Sequence, residues 1–353
     1  MANTAVARPT PSTELEDLRD PAYLRIRDLI YHISGIYQPD EKLYLLASRC
    51  TRRMKALSAR SPAEYLEHLT TRGNRETELR LLLNEITIGE TYMFRSPPQL
   101  DALRNVILPQ LIQSKSALGF KRLRLWSAGC STGEEPYTLA MFLLEESAKL
   151  LSGWTFDILA TDLNDNSLSA AKAGVYGDYA LRSTSELLKR KYFKPFDQKH
   201  LQVSDQLKSV IRFDRVNLHD DSKMTFLKGI DLIFCCNVLI YFDLNSKRKV
   251  MQHFYANLLP GGYLFLGHAE SLYQVDDRFQ LVHFPGAIGY WKAPADPAEY
   301  LSYELPRARA HSSADRGFGR HSLDSCDRSS PRLLTPITRR PSRYRSRCRT
   351  RVL

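Results

Sequence analysis

The chain has 353 residues, 43% of them hydrophobic and 25% charged, with a formal net charge of +11. This suits about two soluble domains with a sizeable core and excludes collagen, a disulfide scaffold and a wholly disordered chain. No run of about 18 apolar residues is available to span a membrane, and six cysteines without a CxxC spacing point to a reducing, cytoplasmic compartment.

Residues 1–20 are polar and aperiodic. They contain no apolar core of a secretory signal and are expected to form a flexible leader. From Pro21 to Thr87 the pattern is helical. Leu24, Ile26, Leu29, Ile30, Ile33 and Ile36 recur at three- and four-residue spacing. Leu43, Leu45, Leu46, Met54 and Leu57 continue it, as do Tyr65, Leu66, Leu69, Leu79, Leu82, Leu83 and Ile86. Ser61, Pro62 and Glu64 read as an N-cap, a first-turn proline and the second half of a capping box. Residues 21–87 are therefore expected to be a small all-helical domain, and 88–120 a linker with a connecting helix.

After Lys121 the pattern changes. Leu123, Leu125 and Trp126 lead into Gly129 as a buried strand, with a helix from Pro136 to Leu151. A second strand, Phe156–Asp162, precedes a helix over Asn166–Ala173. Later come a strand over Ile230–Cys235, a helix over Asn245–Leu258 and a strand over Tyr263–Leu266. Alternating strands and helices predict an α/β domain over 121–295 with a mostly parallel, doubly wound sheet. Phe279–Phe284 and Ala287–Trp291, around Pro285-Gly286, predict a C-terminal antiparallel hairpin. Short β-like pieces break the alternation over 179–213, which is expected to be an inserted β-subdomain. Residues 296–353 hold 13 arginines, no lysine and 6 acids. That segment reads as a disordered tail. Without it the charge is nearly balanced, so the basicity does not argue for a nucleic-acid binder.

The chemistry concentrates at strand ends. Gly129-Cys130-Ser131-Thr132-Gly133-Glu134-Glu135 follows the first strand and opens a helix, the usual nucleotide position in a doubly wound sheet. Its spacing fits neither a dinucleotide fingerprint nor a phosphate loop, and Glu134 and Glu135 would repel a pyrophosphate on the helix N-terminus. They suit a cationic, amine-bearing ligand. Asp162, ending the second strand, can accept both hydroxyls of a ribose. Together these features favour a nucleoside with a positive amino-acid end, such as S-adenosylmethionine. Asn217 and Leu218 follow another strand, and Cys235, Cys236, Asn237 and Tyr241 lie at the end of a fourth. No His or Cys partners stand at zinc spacing, so no metal is expected.

These segments resemble the CheR family of chemotaxis-receptor glutamate methyltransferases. The resemblance is carried, in the family's order, by Asn84–Arg95 (NEITIGETYMFR), Trp126–Tyr137 (WSAGCSTGEEPY), Ala160–Asp162, Phe234–Phe242 (FCCNVLIYF) and Gly267–Ser271 (GHAES). It implies a Rossmann-like S-adenosylmethionine-dependent methyltransferase fold behind the helical domain. The implied reaction converts receptor glutamates to glutamyl 5-O-methyl esters, with S-adenosylhomocysteine as the other product, for chemosensory adaptation. A carboxylate is already ionised at neutral pH, so such an enzyme needs alignment more than a base.

By resemblance, Arg95 and Tyr241 would handle the substrate carboxylate. Gly89, Thr91, Arg95, Gly129, Glu135, Asp162, Asn217, Leu218, Cys236 and Asn237 would line the cofactor site. The basic cluster Arg49, Arg52, Arg53 and Lys55 would face the cytoplasmic domain of a methyl-accepting receptor. The inserted subdomain is short and lacks glycine between Tyr192 and Val203, which implies independence from a C-terminal receptor peptide tether. Neither membrane insertion nor nucleic-acid binding is implied. Two positions depart from the family pattern: Cys236 stands where members commonly have arginine, and Gly89 where they have asparagine. These departures motivate a second reading, a non-catalytic module that binds the cofactor or its demethylated product.

Overall fold

The structure, a computed structural model, describes residues 20–294 except 72, 74, 88, 225 and 226. The expected leader, apart from Asp20, and the expected tail lie outside the described residues.

Helix α1 (Pro21–Ser34) starts where Asp20 accepts the Ala22 N–H at 2.8 Å and stops at Gly35, whose φ of +72° ends it. It is followed by α2 (Leu43–Leu57), α3 (Pro62–Thr70) and α4 (Arg75–Ile86). Ser61 caps α3 as its sequence suggests, accepting the Glu64 N–H at 3.1 Å. The Glu64 carboxylate, however, takes the Arg60 N–H at 2.7 Å rather than closing a capping box on Ser61. These four helices bury Ile26, Ile30, Leu46, Cys50, Tyr65, Leu69 and Leu82. Leu24 and Leu45, which share the periodic spacing, are exposed.

The basic cluster on α2 is partly consumed by the fold. Arg53 binds the buried Glu78 through two hydrogen bonds of 2.8 and 2.9 Å, and Glu78 also accepts the Tyr65 hydroxyl at 2.9 Å. Arg52 pairs with Glu85 at 3.0 Å. Among the described residues, Arg49 and Lys55 make no ion pair within the chain.

The connecting segment is helical, with α5 (Pro97–Ala102) and α6 (Leu108–Ala117) joined through a π-type turn at Leu103–Ile107. Strand β1 (Arg122–Ala128), helix α7 (Glu134–Glu146), strand β2 (Thr155–Asp162) and helix α8 (Asp165–Ala173) then begin the α/β domain. Helix α7 ends five residues short of the expected Leu151. The Glu146 carbonyl accepts both the Lys149 and Leu151 N–H groups, at 2.9 and 3.0 Å, turning the chain so that Leu151 is buried again.

The inserted subdomain is a three-stranded antiparallel sheet of β3 (Val175–Gly177), β4 (Phe193–Pro195) and β5 (His200–Val203), with β5 in the middle. It carries the short helices α9 (Asp178–Leu181) and α10 (Glu186–Tyr192), and α11 (Asp205–Lys208) follows it. Its bounds differ from the expected 179–213. Val175–Gly177 pairs into the small sheet, whereas β6 (Ile211–Arg215) leaves it and pairs parallel with β2. The chain continues through α12 (Asp221–Met224), β7 (Ile230–Cys235), α13 (Leu244–Asn257), β8 (Leu258–Leu266) and the hairpin of β9 (Gln280–Phe284) and β10 (Ala287–Trp291).

The main sheet has the order β6-β2-β1-β7-β8-β10-β9, parallel except for the hairpin. Period-two alternation divides its two cores. Leu123, Leu125, Leu232 and Phe234 face one, while Trp126, Ala128, Ile233 and Cys235 face the other. The order reverses between β1 and β7, the crevice where ligands of such sheets bind.

The helical domain is tied to that edge of the sheet. The Tyr37 N–H donates to the Tyr241 carbonyl at 2.9 Å, and Ile36 bridges Phe242. The Asn164 amide donates to the Asn84 carbonyl at 3.0 Å and to Thr87 Oγ1 at 2.7 Å, and Asn84 Oδ1 accepts the Asp165 N–H at 2.9 Å.

Glu78 compensates Arg53 and the Tyr65 hydroxyl together inside the helical domain. Glu78→Ala leaves both unpaired and is expected to cost about 3–5 kcal/mol, read as a lowered urea midpoint. An unchanged midpoint would contradict this account.

Candidate active site

A cleft of about 280 Å³ lies at the carboxyl ends of β1, β2, β6 and β7, closed on one side by the segment between α4 and α5. That is the small end of the range for ligand pockets. Its walls include the residues that the resemblance assigned to the cofactor and substrate: Gly89, Thr91, Arg95, Gly129, Glu135, Asp162, Asn217, Leu218, Cys236, Asn237 and Tyr241.

The glycine loop is set by backbone geometry. Gly129 has φ of +83°, and a Cβ there would lie 2.4 Å from Val238 Cγ2, so the position accepts only glycine without displacing the β7 loop. Ser131 is also left-handed, at φ +48°, which aims its N–H at Asp162 Oδ2 at 2.8 Å. The other oxygen, Oδ1, accepts the Asn164 N–H at 2.8 Å. Burial raises the Asp162 carboxyl above its usual range, and these N–H groups act against that rise. Both oxygens keep lone pairs for a diol.

The two acids after the glycines have separate fates. Glu134 is buried and bonded to the Thr132 hydroxyl at 2.7 Å, and it is not part of the cleft wall. Glu135 reaches into the cleft, where the Ser127 hydroxyl donates to its Oε1 at 2.6 Å. Desolvation pushes the Glu135 carboxyl up to about 7, moderated by the hydroxyl of Ser127, the thiol of Cys236 and the charge of Arg95.

The two family departures acquire physical content. The Cys236 thiol lies between Glu135 and Gln99 Oε1, the latter at 3.7 Å, and burial holds it well above its ordinary pKa, a neutral donor. An arginine at this place would set a cation beside Glu135. A Cβ on Gly89 would fall 2.4 Å from Ser131 Oγ, so Ser131 occupies the space a side chain at 89 would enter.

Tyr241 and Arg95 also line the cleft. Burial raises the Tyr241 phenol above its ordinary value, with Arg95 acting against the rise, so it remains a hydroxyl donor at neutral pH. Arg95 is exposed and donates to the Glu90 carbonyl at 2.9 Å. The Asn217 amide is engaged at both ends, donating to the Ile33 carbonyl at 2.6 Å and accepting the His219 N–H at 3.1 Å, so it ties the cleft floor to α1.

Three supporting residues were not assigned from sequence. Gln99 donates to the Leu266 carbonyl at 2.7 Å while accepting the Cys236 thiol. Asn164 links Asp162 to the helical domain. Glu270, inside the GHAES segment, accepts the N–H groups of Gly267, Asn237 and Ile240 at 2.7, 2.8 and 3.2 Å. It thereby holds Asn237 at φ +62°, a conformation asparagine tolerates better than most residues. Its place in the GHAES segment is its signal in the sequence.

The donor set fits a nucleoside with an ammonium end. One carboxylate could accept a diol and a second could take an amine, and the sequence of the glycine loop holds no phosphate-loop lysine. Among the described residues no cluster suits a metal ion, and no helix is long and apolar enough to cross a membrane.

Comparison with known proteins agrees with this arrangement. Residues 89–288 match the family model described as CheR methyltransferase, SAM binding domain, and residues 21–87 that described as CheR methyltransferase, all-alpha domain. The chain is 33% identical over 275 residues to chemotaxis protein methyltransferase 2 of Vibrio cholerae, covering 78% of this chain and 94% of the relative. It is 35% identical to the chemotaxis protein methyltransferase of Borreliella burgdorferi, covering 70% and 87%, and 36% identical to chemotaxis protein methyltransferase 1 of Pseudomonas aeruginosa, covering 72% and 92%.

Removing the anchor of the β7 loop should release Asn237 from its left-handed conformation. Glu270→Ala is expected to raise the Kd for S-adenosylhomocysteine by roughly tenfold or more, the cost of a few lost charge-assisted bonds. Titration calorimetry reads this directly, and an unchanged Kd would remove Glu270 from the site's support.

Proposed function

The chain belongs to the CheR methyltransferase family, and from that premise we propose that it methylates glutamate side chains of methyl-accepting chemotaxis receptors. The donor is S-adenosylmethionine, and the products are glutamyl 5-O-methyl esters and S-adenosylhomocysteine. The observation that carries this reading is the make-up of the cleft wall, where two carboxylates stand together with a guanidinium and a phenol hydroxyl.

In this reading Asp162 holds the ribose hydroxyls, and Glu135 faces the amino end of the cofactor. The glycine loop at Gly129, with Thr91 and Gly89 opposite, encloses the nucleoside, Leu218 gives it an apolar surface, and Asn237 meets the methionine part. The cofactor supplies a methyl group activated by its sulfonium. The residues of this chain supply alignment. Tyr241 donates a hydrogen bond to the incoming carboxylate, and Arg95 attracts it. Neither removes a proton, since a glutamate with its reference pKa near 4.3 arrives ionised. In-line placement of two reacting groups is worth up to about 7–11 kcal/mol, enough to make a site without a base effective. No observation in the cleft favours the binding-only reading.

The receptor's cytoplasmic domain is the proposed partner, which places the enzyme in the cytoplasm. Its approach over α2 would rest on Arg49 and Lys55, with Arg52 half engaged and Arg53 committed to Glu78. The β4–β5 turn is closed by Asp197, which accepts the Lys199 and His200 N–H groups at 2.8 Å each. A turn so short supports activity without a receptor peptide tether.

With labelled cofactor and receptor membranes of the host, the protein should form alkali-labile methyl esters. Tyr241→Phe should lower kcat by about ten- to a hundredfold. Base-stable label, or none, would overturn the assignment.

The raised Glu135 carboxyl also sets a pH dependence. It is neutral below about 7 and ionised above, and only the ionised form attracts an ammonium. Affinity for S-adenosylhomocysteine should therefore be full near pH 8 and fall by up to about tenfold per pH unit below 7. Cys236→Arg should move that midpoint to lower pH by placing a cation beside Glu135. Calorimetric titrations from pH 5.5 to 8 test both statements.

A further inference from the structure

Arg95 is an exposed side chain on an irregular segment, yet methyl transfer needs it in one place. The segment is not held by a sheet or helix of its own. The Phe94 N–H donates to Thr138 Oγ1 on α7 at 3.0 Å, and the rest of the hold comes from the inserted subdomain. The Arg182 guanidinium lies between two aromatic rings, 3.4 Å from the centroid of Tyr92 and 3.8 Å from that of Tyr179. Its Nη1 donates to the Tyr179 carbonyl at 2.5 Å, which fixes the arginine on α9. The Tyr179 hydroxyl donates to the Glu90 carboxylate at 3.0 Å, and the Met93 N–H donates to the Ala180 carbonyl at 2.9 Å. Arg95 in turn donates to the Glu90 carbonyl at 2.9 Å and lies 5.8 Å from the same Tyr92 ring. The Glu90 carbonyl and the Tyr92 ring, the two groups that Arg95 contacts here, thus belong to residues that Tyr179 and Arg182 hold.

We propose that Arg182 is a positioning residue for methyl transfer: stacked between Tyr92 and Tyr179, it latches the Glu90–Arg95 strap to the inserted subdomain and so fixes Arg95 in the cleft wall. This rests on the methyltransferase reading given above. An arginine suits the position because its flat guanidinium stacks on two rings at once, which a lysine ammonium does not reproduce. Single exposed cation–π contacts are weak, but here two of them share one cation with a backbone hydrogen bond on either side of the latch. The subdomain therefore shapes the site from outside the sheet, and Arg182 is the side chain through which a change on its surface near α9 reaches both aromatic rings of the strap contact.

A double-mutant cycle in the full-length protein tests the latch. Arg182→Ala is expected to lower kcat with receptor membranes by about tenfold, and Arg182→Lys to retain an intermediate rate. In an Arg95→Ala background the Arg182→Ala change should cost no more than about twofold further, because its effect passes through Arg95. Full additivity of the two losses would overturn the proposal. Hydrogen exchange of the full-length protein supplies a readout that does not depend on activity. Amides in the 90–95 peptide, Met93 above all, should exchange at least about tenfold faster in Arg182→Ala, and faster to a lesser degree in Tyr179→Phe. Unchanged exchange there would overturn the latch even where receptors are methylated. Faster exchange with no methyl ester formed by the wild-type protein would instead sink the functional reading and leave the latch standing.

Discussion

A carboxylate at the carboxyl edge of a parallel sheet has to be compensated, and the compensation of Asp162 organises much of this molecule. Its two oxygens take the N–H groups of Ser131 and Asn164. The first is available because Ser131 is left-handed, and the chain reaches that conformation through Gly129. The second belongs to the residue that caps α8, its side-chain oxygen accepting the Asn166 and Ser167 N–H groups at 2.9 and 3.0 Å. The same Asn164 amide bonds Asn84 and Thr87 across the domain boundary. One buried acid therefore couples the glycine loop, a helix start and the seating of the helical domain. Shifting any of these moves the polar end of the cleft.

The charge pattern around Cys236 follows from a similar economy. Cys236 and Glu135 are neighbours in a poorly solvated corner, and a thiol is a weak donor compared with a guanidinium. The charge of Arg95 also acts on Glu135, favouring its ionised form. An acid in that situation is poised close to neutrality. Its affinity for an amine is then traded against the desolvation it suffers when empty. A cysteine rather than an arginine at position 236 thus changes the ionisation of a neighbour and not only a direct contact.

What could be read from the sequence was local. Gly129, Asp162, Asn237 and Tyr241 lie within a few residues of strand ends, and period-two alternation locates those ends. Once Phe156–Asp162 is recognised as a strand, the position of Asp162 at its rim follows. Gln99, Asn164, Glu270 and Arg182 could not be found this way, because their partners are distant in the chain: Leu266 for Gln99, Asn84 for Asn164, Asn237 for Glu270 and Tyr92 for Arg182. The basic helix shows the opposite failure. Spacing grouped Arg49, Arg52, Arg53 and Lys55, but it could not register that Glu78, on a different helix, claims Arg53. The bounds of the inserted subdomain slipped for a related reason. Val175–Gly177 is three residues long, and only its pairing with His200–Gln202 distinguishes it from a helix-to-loop transition.

The charges lining the cleft also bear on turnover in the proposed reaction. Before transfer, the substrate side chain would be an anion that Arg95 and the Tyr241 hydroxyl could attract. Esterification removes that charge, and a neutral ester keeps only the weaker part of both contacts. Glu135 and Asp162, in the same proposal, would meet a ligand whose formal positive charge falls by one when the sulfonium becomes a thioether. The electrostatic attraction that draws each reactant in would then weaken on transfer, and because the Glu135 carboxyl is raised to about 7, the strength of that attraction on the cofactor depends on pH.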